Sequence, residues 1–193
     1  MNIQPIIGIV GRAAAGKTST ARYIANKHGY IPLSFADSLK AMLINAGMCT
    51  HDECYKKKTE MSRWLLKKIG TDIGRKQIHP DFWVQRTAKK IIELMDAGNS
   101  LVVDDIRFPN EARLVKSYMK RSLLIKLERI NEDGSPYIDA TAGIEHDSER
   151  LVDTITADYT ITAVSGKMEY IFHEVDLILA NWRPQHEANT NNS

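Results

Sequence analysis

The chain has 193 residues, 43% of them hydrophobic and 26% charged, with a formal net charge of +2. That is enough for a sizeable buried core and is close to an ordinary soluble composition. So small a charge argues against a dedicated binder of long nucleic acid, and no apolar run approaches the ~20 residues of a membrane span. The charge is uneven, however. Residues 51–90 hold 11 Lys/Arg against 5 Asp/Glu, and residues 128–153 hold 8 Asp/Glu against 2 Arg. This pattern fits either a local anion site or two solvated faces of opposite sign. The opening "MNIQPIIGIVG" lacks the charged region and long apolar stretch of a secretory signal, so a cytoplasmic protein is expected. "CTHDEC" carries both cysteines, Cys49 and Cys54, with His51 between them. Its spacing is not that of a zinc knuckle, and it reads as two free thiols in a reducing compartment.

Taken in order, residues 5–10 are rich in Ile and Val and read as a short buried strand closed by Gly11. "KTSTARYIANK" (17–27) reads as a helix that stops at Gly29. "YIPLSF" (30–35) reads as a strand, which Pro32 confines to an edge or ends early. "ADSLKAMLINAG" (36–47) reads as a helix, 48–58 as a polar loop, and 59–76 as a helix up to Gly70. Another helix follows Pro80 and runs to Gly98.

"SLVVDDIRF" (100–108) is the clearest buried strand, and Pro109 opens the helix after it. "SLLIKLER" (122–129) and "DYTIT" (158–162) are further strands, separated by the irregular segment 130–147. The last helix, 166–182, carries an apolar stripe that reads as core packing. The polar tail 184–193 is expected to be disordered. Strands alternating with helices predict one α/β domain, 1–183, around a parallel sheet of about five strands flanked by helices.

Chemistry enters with "GRAAAGKTST" (11–20), which fits G-x-x-x-x-G-K-S/T as Gly11, Gly16, Lys17 and Thr18. It lies between the first strand and the first helix, as a phosphate-binding loop must. Small residues let backbone N–H groups close on a polyphosphate; Lys17 can reach its oxygens and the Thr18 hydroxyl can hold Mg²⁺. "LVVDDIR" ends a buried strand in Asp104 and Asp105, one of which can hold the metal or its waters. Alternation along a strand sends the two to opposite faces. Arg107 is placed to grip a phosphate bidentately, or else to pair with a carboxylate.

Lys40, Arg63, Lys67, Lys68 and Arg75 form a basic group; Arg63 and Lys67 share a helix face, which favours an anion between them. Arg129 opens the irregular segment, which has the length and glycines of a lid, or of a long surface loop. No N-K-x-D, H-R-D or D-F-G signature is present, so neither a GTPase switch nor a protein kinase is indicated.

The ordered set of the loop at 11–18, "FADSLK", "RWLLKKIGTDIGR", "DFWV", "VVDDIRFPNEA", "LER" and "HDSE" resembles the deoxynucleoside monophosphate kinases of bacteriophages. That resemblance implies a P-loop kinase fold, with an acceptor-binding helical region near 36–80 and a lid near 129–150. It implies transfer of the γ-phosphoryl of ATP to a deoxynucleoside monophosphate, with Mg²⁺, in a cytoplasmic homodimer. It assigns ATP to Ala13, Ala14, Ala15, Gly16, Lys17, Thr18, Ser19 and Arg129. Thr18 and Asp105 serve the metal, and Lys17, Asp105, Arg107 and Arg129 the reaction. The acceptor falls to Asp37, Lys40, Arg63, Trp64, Thr71, Asp72, Arg75, Trp83 and Arg107. Arg12 either turns toward the acceptor or faces solvent, and an aromatic such as Trp64 or Trp83 can crowd the 2′ position. Similar sequences often have Gln where this chain has Lys67, which leaves the base preference open. A kinase of another small acceptor, of shikimate or dephospho-coenzyme A type, and a non-catalytic nucleotide-binding module are the rival readings.

Overall fold

The computed structural model describes residues 4–139 and 147–182. The chain forms two compact units: Met1–Pro32 with Leu94–Ser193, and Leu33–Glu93 inserted between those segments in sequence. The region expected at 36–80 lies in the second unit. The tail at 184–193, His146, and residues 140–146 of the expected lid lie outside the described residues.

The first unit is built on five strands: β1 (Ile6–Val10), β2 (Ile31–Leu33), β3 (Leu101–Ile106), β4 (Ser122–Ile130) and β5 (Tyr159–Val164). They form one parallel sheet in the order β2-β3-β1-β4-β5. Every residue of β1 is buried, as an unbroken apolar run requires at the centre of a sheet covered on both faces. The Pro32 strand takes the edge, where its missing N–H costs no ladder bond. β1 pairs with β3 on one side and β4 on the other. The chain reverses its direction of travel across the sheet at that point, so the carboxyl end of β1 is the topological switch point where such folds bind ligands.

On one face, Ile7, Ile9, Val102, Leu123, Ile125 and Ile161 pack against helices α1 (Lys17–His28) and α8 (Met168–Asn181). The apolar stripe of α8 is core packing, as its period predicts: Ile171, Val175 and Ile178 belong to this cluster. The other face is so tight at Gly8 that a Cβ there would fall 2.4 Å from Ile106 and 2.6 Å from Leu124. Helix α6 (Pro109–Lys116) contributes Val115 to the same contact. After β4 the chain folds back on itself. Ile130 bridges to Pro136, and the Tyr137 amide donates to the Arg129 carbonyl at 2.9 Å. Helix α7 (Asp147–Arg150) and a 3₁₀ turn (Leu151–Thr154) lead to β5.

The second unit comprises α2 (Asp37–Asn45), α3 (His51–Tyr55), α4 (Glu60–Lys67), a π-helical segment (Lys68–Ile78) and most of α5 (Phe82–Asp96). Its core holds Leu39, Leu43, Cys49, Cys54, Leu65 and Trp83. Two expectations are corrected here. The loop expected over 48–58 contains α3, closed at its start by a reciprocal cap between Thr50 and Glu53. The helix expected to stop at Gly70 runs on as the π-helical segment to Ile78. Glycine ends a helix by taking a positive φ, and neither Gly70 nor Gly74 does so. The Trp83 indole N–H instead takes the Gly70 carbonyl at 2.8 Å.

Candidate nucleotide site

The loop between β1 and α1 has the shape its sequence demands. Gly16 sits in the left-handed region (φ 94°) immediately before the first residue of α1, a conformation that L side chains rarely adopt. Ala14 also has a positive φ, 57°, which its small side chain tolerates at the loop tip. The backbone donors of the loop are thereby gathered at the amino end of a 12-residue helix, where the dipole favours an anion.

Lys17 is only 7% exposed, and its ammonium donates to the carbonyls of Gly11 (2.7 Å) and Arg12 (2.6 Å). Burial, then the charge of Arg107, push its pKa well below the ordinary lysine range; Glu149, Asp105 and Asp104 oppose them. The two carbonyl acceptors and these carboxylates offset the cost of burying the cation. Thr18 and Ser19 are exposed in the first turn of α1.

Asp104 and Asp105 are both half-buried at the end of β3. Simple alternation does not separate them. β1 and β3 pair at Gly8–Val103 and again at Val10–Ile106, so β3 carries one extra residue between these pairs. This bulge sets two residues of β3 against one of β1, and both carboxylates act on Lys17.

Arg107 is held from both ends. The carboxylate of Glu111, 2% exposed, accepts from the amides of Arg107 (2.8 Å) and Phe108 (3.0 Å). This is the physical content of "RFPNE": a carboxylate at the start of α6 fixes the turn that ends β3. At the other end, Arg107 Nη1 donates to Glu149 Oε1 at 2.7 Å. Glu149 Oε2 accepts from the Ala13 amide of the loop at 3.1 Å. Neither glutamate was singled out in the sequence. Glu111 was findable from its position two residues after Pro109, whereas the Glu149 carboxylate bonds to Ala13 and Arg107, 136 and 42 residues away.

Arg12 does not reach freely into solvent; it pairs with Asp153. Arg129 donates to the Ala14 carbonyl at 3.0 Å and to Ser165 Oγ at 3.1 Å, and its guanidinium lies 3.7 Å over the Tyr137 ring. The loop, Lys17, Arg107 and Arg129 are thus assembled within the first unit.

The second unit gathers another part of the expected set. Asp37 accepts from the Ser34 amide (2.9 Å) and the Tyr55 hydroxyl (3.2 Å), and Lys40 Nζ lies 3.6 Å from Asp37 and 4.4 Å over the Tyr55 ring. Tyr55 fell within the supposed loop and was missed. Arg63 and Lys67 are exposed on α4, and Trp64 is 57% exposed. On the π-helical segment Thr71 is buried, Arg75 half-buried, and Asp72 pairs with Lys68 (3.4 Å) and Lys76 (3.7 Å). Trp83 is 4% exposed in the core, and a Cβ on Gly74 would fall 2.6 Å from its Nε1. Its indole N–H anchors the π-helical segment at the Gly70 carbonyl. Cys49 and Cys54 are buried free thiols, and among the described residues no His/Cys/Asp/Glu group has the makings of a metal cluster. No helix among these residues is long and apolar enough to cross a membrane.

No protein-family profile matches the chain. It is 28% identical over 144 residues, 64% of its own length and 74% of the relative's, to a protein of Acanthamoeba polyphaga mimivirus named "Putative deoxynucleotide monophosphate kinase". A sugar kinase of Janibacter superposes with a TM-score of 0.51 at 14% identity, covering 94% of this chain and 97% of the other. A protein of Chloroflexus aurantiacus described as a "putative kinase" gives 0.52 at 12% identity, covering 94% and 100%. Strand order, the strand–loop–helix at the switch point and these likenesses together establish an α/β fold of the P-loop NTPase type.

Proposed function

We propose that the protein is a Mg²⁺-dependent kinase that moves the γ-phosphoryl of ATP to a deoxynucleoside 5′-monophosphate. The observation that carries this reading is the buried Lys17 in its loop, with Arg107 tied to that loop through Glu149 and Arg129 through the Ala14 carbonyl. The name of the mimivirus relative and the resemblance of the ordered motifs support the choice of acceptor. The homodimer and the phage-encoded setting rest on that resemblance alone.

In the proposed reaction an oxygen of the acceptor phosphate attacks the γ-phosphorus. The bond to the β–γ bridging oxygen breaks, and ADP leaves. The attacking oxygen is already anionic, so no strong general base is needed; positioning and charge neutralisation carry the rate. The loop amides from Ala14 to Ser19 and Lys17 hold the polyphosphate, the Ala13 amide being taken by Glu149, and Arg129 neutralises charge on the transferring group. Arg107 grips the acceptor phosphate. Thr18 and Asp105 would hold Mg²⁺, directly or through water, and the ion would supply further charge neutralisation. The resemblance assigns Arg12, Asp37, Lys40, Arg63, Trp64, Thr71, Asp72 and Arg75 to the acceptor.

A coupled assay for ADP, run over the four common deoxynucleoside monophosphates with shikimate and dephospho-coenzyme A alongside, tests the proposal. Turnover with at least one deoxynucleotide is expected. Turnover with only another acceptor would replace the substrate, and tight ATP binding with no acceptor-dependent ADP would replace the enzyme by a binding module.

A further inference from the structure

Glu149 is a carboxylate only 6% exposed, and both of its oxygens are used. Oε1 takes Arg107 and Oε2 takes the Ala13 amide, one of the donors that a phosphate loop offers to polyphosphate. Its own placement is anchored. The 3₁₀ turn that follows buries Val152 completely, and Ile155 is 6% exposed. Four residues on, Asp153 pairs with Arg12 of the same loop. A buried carboxylate is retained only where its partners compensate its lost hydration, and here those partners are the loop and an arginine. A long arginine side chain fixed in the free protein loses less freedom when it binds.

We propose that Glu149 is a positioning residue, which holds the Arg107 guanidinium at a set place beside the phosphate loop so that an acceptor phosphate bound by Arg107 is aimed at the phosphoryl held on the loop. The proposal rests on the kinase reading given above. It differs from a purely electrostatic role. Glu149 also helps keep Lys17 charged, and a defect arising there would fall on ATP and would persist without Arg107.

The test is a double-mutant cycle in the full chain with Glu149→Gln, Arg107→Ala and the double variant, varying acceptor and ATP separately. Glu149→Gln is expected to raise the acceptor KM about tenfold while changing that for ATP less than about threefold. In the Arg107→Ala background the same change is expected to add less than about twofold. Equal effects in both backgrounds, or a defect confined to ATP, overturn the assignment. Glu149→Asp keeps the charge but shortens the reach, and the acceptor defect is expected to persist in it. A wild-type acceptor KM in Glu149→Asp would mean that charge alone matters and would also overturn it. Thermal unfolding of the same cycle without substrate reads the pairing independently of turnover. Non-additive losses are expected, and additive ones refute the pairing. Non-additive unfolding in a protein that turns over no acceptor would fault the kinase reading and leave the pairing standing.

Discussion

Asp176 on α8 accepts hydrogen bonds from Tyr23 (2.7 Å) and Lys27 (2.6 Å) on α1, and its other oxygen lies 2.9 Å from His28 Nε2. Tyr23 stacks on Phe172 of α8 with ring centroids 4.3 Å apart. One carboxylate thus ties the helix that begins at the phosphate loop to the last helix of the fold. Burial alone would raise the pKa of Asp176, but the bonds from Lys27, Tyr23 and His28 outweigh it and hold the carboxyl well below the usual carboxylate range.

The sign of the pH dependence follows. A carboxyl whose folded pKa is depressed stabilises the fold above its unfolded pKa of about 3.9, and that contribution fades as pH falls below it. Asp176→Asn is expected to lower stability at pH 7 by about 1 kcal/mol, the net worth of a typical part-exposed bond set. Urea denaturation at pH 7 and pH 3 checks this: the gap between variant and wild type should narrow at the lower pH. A gap that is constant across this range would remove the carboxylate's charge from the account.

Gly8→Ala is expected to destabilise the protein by about 1–3 kcal/mol through overpacking. The added methyl meets Ile106 and Leu124, both buried and branched, at separations that no Cβ tolerates. Denaturant midpoints measure the loss, and an unchanged midpoint would mean that this face of the sheet is looser than described.

Lys17→Ala is expected to cut kcat on the order of 10²–10³-fold, since it removes charge that counts most as the phosphoryl transfers. Steady-state ADP release measures it. Near-normal turnover would deny Lys17 that role.

Trp83→Phe keeps most of the ring but removes the donor to the Gly70 carbonyl. Losing that bond is expected to cost about 0.5–1.5 kcal/mol. The readout that matters is paired: stability should fall while discrimination between ribose and deoxyribose acceptors stays as in wild type. The reverse result would assign Trp83 to the acceptor site.

Much of this was legible in the chain. The apolar run before "GRAAAGKTST", the strand ending in "DDIR" and the edge proline at 32 each carry their structural meaning locally. What was not legible depends on partners. The bulge that spoils alternation at Asp104 and Asp105 is a property of two strands in register, not of one. The two bonds of Glu149 span 136 and 42 residues. The π-helical segment has no period that a helix or strand template detects, and its glycines imitate stop signals. Only α3 was within reach, since Thr50 and Glu53 already spell a cap.

The pairing of β1 has a consequence for how the chain is made. Ile6 finds its neighbours at Leu101 and Ser122, with the whole of the second unit translated between the first strand and the third. On the ribosome the strand that leads into the phosphate loop is synthesised first, yet it has no neighbour on either side until more than half the chain has emerged. During that interval "IIGIV" is an uncharged β-prone segment with both edges open, the kind that chaperones shield and that aggregates when they do not.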